Sequence, residues 1–156
     1  MKRPATRGAI AVLEVEPVAT FASDRSVALA YVPPFWDDEQ LSFRLVAFSG
    51  DTPVSVSATF YDGGLFVGHE ARAAALSPSV AAVELFSSSI STGERCLWFL
   101  FVTDGVAVVQ LGRFVPDYES IGEDTCGPWP IVARPPVLSM RGAGRWRFAG
   151  GRLLPD

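Results

Sequence analysis

Cys96-Leu-Trp-Phe-Leu-Phe-Val102, Thr103-Asp104-Gly105 and Val106-Ala-Val-Val-Gln-Leu111 form the stretch that decides the fold. Two apolar runs of strand length separated by Asp-Gly predict a β-hairpin, because both central residues of a type I′ turn need positive φ. Leu97 to Val102 has no polar face. Such a strand is covered on both sides, by an opposing sheet and by the chain's own tail, a neighbouring subunit or a loop. Upstream, Val54, Val56, Ala58 and Phe60 alternate with Ser55, Ser57 and Thr59 before Asp62-Gly63-Gly64. A period of two places one set of side chains on a core and the other in water.

The same pattern extends outward. Strands are expected near residues 9–15, 26–32, 41–48, 54–61, 80–86, 96–103, 106–111 and 112–116, a spacing typical of sandwiches and barrels. Glu70 to Leu76 is the one helix-compatible segment, limited by Pro78 to about two turns. Fourteen Gly, twelve Pro and eleven Phe favour short strands joined by turns. With 49% apolar and 19% charged residues in 156, the chain can bury a substantial core and is not disordered.

Charge is unevenly spread within the net −4. Lys2, Arg3 and Arg7 make the start basic, and residues 134 to 156 carry five Arg against Asp156. The body between them is acidic. That balance is poorly suited to embracing nucleic acid. It suits head-to-tail or arm-exchange contacts between copies, or simply solubilising charge. No apolar run reaches membrane-spanning length. Met1 to Arg7 followed by Ala9 to Leu13 superficially resembles a signal peptide, but Glu14 and Glu16 interrupt what would be its apolar region, so Ala9 to Val15 is read as a strand and no export signal is expected.

Composition changes after Pro116. Residues 117–136 form an acidic, proline-rich linker in which Pro128, Pro130, Pro135 and Pro136 are expected to hold the chain extended. Residues 137–156 read as an extended C-terminal arm, with Trp146 and Phe148 on one side and Arg145 and Arg147 on the other. Exposed Trp146, Phe148, Leu153 and Leu154 would be sticky in isolation, so the arm is expected to dock on something. Residues 1–7 are a basic leader to a body spanning 8–116.

No motif announces a reaction. His69 beside Glu70 lacks a second histidine or a Cys/His spacing and is read as an ordinary loop histidine. Ser87 to Gly93 offers hydroxyls without a nucleophile elbow, and with one distant histidine it is read as a polar loop. Asp37, Asp38 and Glu39 follow Trp36, but neighbouring carboxylates on a strand point to opposite faces and no calcium-loop spacing appears. They are read as a solvated turn. Tyr31, Trp36 and the Asp37–Glu39 cluster remain an alternative glycan- or receptor-binding patch. Cys96 and Cys126 are two free thiols on this reading, with a bridge open only in an oxidising compartment. Trp98 belongs to the core. Trp129 and Trp146 are expected to anchor an interface with Phe148, Leu153 and Leu154. No cofactor or metal is expected.

The segment from Gly50 to Val115 resembles the small immunoglobulin-like β-sandwich modules of bacteriophage tail and baseplate proteins. The residues that carry this are Gly50-Asp51-Thr52 before an alternating strand, Asp62-Gly63-Gly64, Gly93 through Gly105, and the closing Leu111-Gly112-Arg113-Phe114-Val115. The resemblance implies a module that binds rather than catalyses, and carries no functional residues across. The expectation is an all-β, antiparallel immunoglobulin-like sandwich with a C-terminal arm. It would serve as a non-enzymatic structural or adaptor subunit of a virion assembled in the host cytoplasm. Its partners would be copies of itself and neighbouring virion proteins.

Overall fold

The computed structural model of the chain describes residues 14–32, 42–57, 66–89, 96–117 and 126–156. They form twelve strands and no helix: β1 (Glu14–Phe21), β2 (Arg25–Val32), β3 (Ser42–Ser49), β4 (Thr52–Val56), β5 (Phe66–Ser77), β6 (Val80–Ser89), β7 (Cys96–Thr103), β8 (Val108–Phe114), β9 (Ile131–Arg134), β10 (Val137–Met140), β11 (Gly144–Ala149) and β12 (Arg152–Pro155). They make three four-stranded antiparallel sheets: an N-terminal sheet β1–β4, a middle sheet β5–β8 and a C-terminal sheet β9–β12. Each is a meander in chain order. This differs from an immunoglobulin-like sandwich, whose Greek-key connections mix distant strands within each sheet.

Alternation along the strands explains the layering. Val27, Leu29, Leu45 and Ala47 of the first sheet pack on Val83, Leu85, Leu97, Phe99 and Phe101 of the middle sheet. The intervening residues of the middle sheet, Ala82, Cys96, Trp98 and Leu100, pack on Ile131, Leu138 and Met140 of the third. The middle sheet is therefore covered on both faces, which is why Leu97 to Val102 of β7 carry no polar side chain. Of the coverings the sequence allowed, the chain's own tail supplies the second.

That finding corrects the C-terminal arm. Residues 131–155 fold as a sheet on this chain's core, with Trp129, Trp146 and Leu153 packed against the second cluster. The segment turns where an extended path was expected. Pro135 and Pro136, joined by a cis peptide bond, reverse the chain between β9 and β10, and Arg134 pairs with Val137 across them. Gly150 and Gly151, both at positive φ, make the β11–β12 turn that two glycines favour. Where β8 meets the β10–β11 turn, Gly112 leaves no room for a side chain: a Cβ there would lie 2.6 Å from that of Ala143.

Three further expectations change. Glu70 to Leu76 lies in β5, not a helix, because Pro78-Ser79 turns the chain and residues 66–77 pair along β6. Ladder pairing outweighs the helix preference of alanine. β4 buries none of its own residues fully: Val54 is 43% exposed, and the buried residue is Ser57, just after the strand. Ser57 donates its N–H to the Leu45 carbonyl, and its hydroxyl accepts from the Leu45 N–H at 3.0 Å. A buried serine with both partners costs little. Finally, the β7–β8 hairpin forms, but Asp104 to Ala107 make a longer turn than type I′. Gly105 supplies the positive φ, and Asp104 Oδ1 accepts the N–H groups of Val106 and Ala107. The expected strands 106–111 and 112–116 are one strand, β8. Residues 9–13, 58–61 and the Asp62-Gly63-Gly64 turn lie outside the described residues.

Candidate functional site

Three sheets present six faces, and burial removes nearly all of them from consideration. Both faces of the middle sheet and the inner faces of the outer two form the cores described above. The other face of the N-terminal sheet carries Ala28, Ala30, Val46 and Phe48, all buried. Among the described residues, the outer face of the C-terminal sheet is the one left open.

Its composition follows from period two and register. Inward positions Ile131, Ala133, Leu138, Met140, Trp146 and Leu153 serve the core, so their neighbours point out. Along one row Arg134, Val137, Arg147 and Leu154 stand side by side across β9, β10, β11 and β12. The adjacent row holds Val132, Ser139 and Arg145. Arg152 faces Ala149 on the other side of the first row. Directly opposed residues on one sheet face are about 5 Å apart, so four arginines share a flat patch with aliphatic side chains between them. Val132 and Leu154 remain 47% and 45% exposed.

One carboxylate already sits on this patch. Arg145 Nε donates to Asp156 Oδ2 at 2.7 Å, and Arg147 Nε reaches Asp156 Oδ1 at 3.4 Å. The hydrogen bond from Arg145, with the charge of Arg147, holds the Asp156 carboxyl below its usual range. Arg134 and Arg152 have no carboxylate partner among the described residues.

A second charged cluster lies under the C-terminal sheet. Glu84 of β6 is buried and accepts the indole N–H of Trp129 at 2.9 Å. Arg72, paired with Glu84 across the β5–β6 ladder, stacks its guanidinium 3.9 Å above the Trp129 ring and bonds Glu70 at 2.9 Å. Burial raises the Glu84 pKa, the Trp129 hydrogen bond and the Arg72 charge lower it, and the Glu70 charge raises it. The net shift is upward, so ionising Glu84 costs more in the folded than in the unfolded chain. Stability from this group is complete below the ordinary glutamate pKa of about 4.3 and declines as pH rises through the folded value. Glu84→Gln keeps an acceptor for Trp129 and removes that decline. Urea unfolding from pH 4 to 7 should show a flatter profile for the glutamine variant. Glu84→Ala instead leaves the indole N–H unpaired and should cost about 1–3 kcal/mol. The cluster fastens the C-terminal segment at Trp129 to the middle sheet.

The residues singled out from sequence are distributed unevenly. Trp129, Trp146 and Leu153 face the core, Phe148 is half-buried, and Leu154 points outward on the arginine face. Tyr31 lies in β2 opposite Phe43. Trp36, Asp37, Asp38 and Glu39 lie outside the described residues. His69 is not distant from the serines, because the β5–β6 register sets it opposite Ser87. The Ser87 hydroxyl is nevertheless buried, which keeps it from any substrate in solvent. No group of His, Cys, Asp and Glu suited to a metal ion occurs among the described residues. No helix there is long and apolar enough to cross a membrane.

Cys96 and Cys126 form a disulfide rather than two free thiols. Cys96 opens β7 on the face that turns toward the C-terminal sheet, and the chain leading into β9 passes over it with the two Cα atoms 5.7 Å apart. None of the four arginines was a functional candidate in sequence: Arg145 and Arg147 were placed together on one side of the arm, and Arg134 and Arg152 were not grouped with them. The visible signal was the alternation Arg145-Trp-Arg-Phe beside Gly150-Gly151: a hairpin there puts Arg152 on the same face as Arg147. Comparison with protein families, characterised proteins and solved structures finds no match to this chain.

Proposed function

We propose that this chain is a non-enzymatic assembly subunit that docks on an acidic protein surface through the outer face of its C-terminal sheet. The observation that carries the reading is the coincidence of two properties on one face. It is the open sheet face of the described residues, and it gathers Arg134, Arg145, Arg147 and Arg152 around exposed Val132 and Leu154. Arginine is favoured at protein interfaces because its planar fork pairs with carboxylates and its stem packs on apolar surface. Single-stranded nucleic acid wants exposed aromatic platforms, whereas Trp146 packs inward here, and the net charge of −4 opposes a polyanion.

The setting we propose is a virus particle, as a tail, baseplate or head-associated component beside other virion proteins. The resemblance of residues 50–115 to phage tail modules, carried by the motifs Gly93 to Gly105 and Leu111 to Val115 and not by the sheet topology, supports it. The disulfide suits a particle released from its host, since such bonds persist outside a reducing cytoplasm.

A fluorescent glutamate-rich peptide tests the docking face by anisotropy. Binding should weaken steeply with salt, and the paired substitutions Arg134→Glu and Arg147→Glu should reduce affinity at least about tenfold. Absence of binding, or binding indifferent to those substitutions, contradicts the reading.

A further inference from the structure

We infer that the partner on the arginine face is a second copy of this chain, which inserts the acidic tip formed by its β1–β2, β3–β4 and β7–β8 turns. The inference rests on the docking reading above and names its occupant.

The tip is assembled by contacts between the turns. The Gly50 N–H donates to the Asp24 carbonyl at 2.8 Å, which joins the β1–β2 and β3–β4 turns. Gly105 of the β7–β8 turn lies against Phe21 and Arg25, so close that a Cβ would meet Phe21 at 2.9 Å. The Ser55 hydroxyl donates to the Val106 carbonyl, tying β4 to the same turn. One end of the molecule thus collects Asp24, Asp51 and Asp104, all exposed, with Arg25 as the one cation in those turns and their first flanking residues. Asp104 is held as the carboxylate by the N–H groups of Ala107 and Val106, and its pKa is lowered accordingly.

Face and tip match in chemistry. Four arginines with Asp156 leave the face net positive, three aspartates with Arg25 leave the tip net negative, and exposed Val132 and Leu154 on the face have counterparts in Val54 and Val106 at the tip, 43% and 44% exposed. Asp156 between Arg145 and Arg147 shows within one copy that this face seats an aspartate side chain. The two surfaces cannot satisfy each other inside a single chain, because the tip belongs to the N-terminal and middle sheets and the face looks away from both. The contact is therefore heterologous. Repeated head to tail, it closes into a ring or runs on as a filament.

Charge exchange provides the test. The face variant carries Arg134→Glu and Arg147→Glu. The tip variant carries Asp24→Asn and Asp51→Arg, asparagine being chosen because residue 24 has φ of 60°. Thermal melts establish that both variants fold, and light scattering gives the mass. At low salt the wild type should gain mass with concentration and return to the monomer in high salt. Each variant alone should associate at least about tenfold more weakly. An equimolar mixture should recover association, because the acidic tip of the face variant meets the arginines of the tip variant. A mixture that stays monomeric, or variants that associate like the wild type, overturns the inference. A wild type monomeric throughout that still binds the glutamate-rich peptide overturns the self-partner alone. One that binds neither overturns the docking face as well.

Discussion

Deleting residues 137–156 is expected to abolish cooperative unfolding of the remaining chain. The deletion removes β10, β11 and β12, and with them Leu138, Met140, Trp146 and Leu153. It bares one face of the middle sheet, where Ala82, Trp98 and Leu100 are now buried. Removing one large buried aliphatic or aromatic side chain costs about 2–5 kcal/mol. A domain is stable by only about 5–15 kcal/mol, so losing the whole layer exceeds what the rest can sustain. Tryptophan fluorescence in urea should lose its sigmoid transition, and a dye that binds apolar surface should light up without denaturant. A truncated chain with a sharp transition and no dye binding would show that the C-terminal sheet is dispensable to the core.

Loss of the disulfide ranks second. The bridge joins Cys96 of β7 to Cys126 ahead of β9, with a separation of 30 residues. Closing a loop of that length in the unfolded chain is worth about 3.5 kcal/mol on the chain-entropy account. Here the loop includes the connection between the middle and C-terminal sheets, so the bridge also confines the third layer near its docking position. The double variant Cys96→Ser with Cys126→Ser should melt about 10 °C lower than the oxidised protein. Reductant should lower the wild-type melting temperature by a similar amount and leave the variant unmoved. Equal melting temperatures with and without reductant would remove the bridge from the account.

The parts of the fold that were legible in sequence are those where local pattern and tertiary role agree. Leu97 to Val102 has one environment on both faces, so its lack of alternation reported the sandwiched strand directly. Asp104-Gly105 marked a reversal because side-chain capping and positive φ are local requirements. β5 was hidden because Ala73-Ala-Ala75 has no alternation of polarity to show, and its strand state comes from pairing with β6. The C-terminal sheet was hidden because its strands are short and its first reversal occurs at two prolines, residues that on their own suggest extension. The disulfide depends on a meeting between two layers, which spacing along the chain does not encode.

The candidate face was half visible for the same reason. Arg145 and Arg147 could be placed together by period two. Arg134 and Arg152 join them only through the registers of β9 on β10 and of β12 on β11. Trp146, expected as a sticky anchor, instead spends its apolar surface on the chain's own core. What the tail offers to a partner is the polar side of the alternation that had suggested an arm.

Arginine-selective labelling with phenylglyoxal, read peptide by peptide at low and at high salt, tests the central claim most directly. In the concentrated, low-salt protein, Arg134, Arg145, Arg147 and Arg152 should be protected together and should regain reactivity in high salt. Arg141, which is exposed and lies over the Phe114 ring outside the patch, should react equally in both. Protection centred on other arginines, or identical reactivity of all of them at both salts, would contradict docking of a second copy through this face.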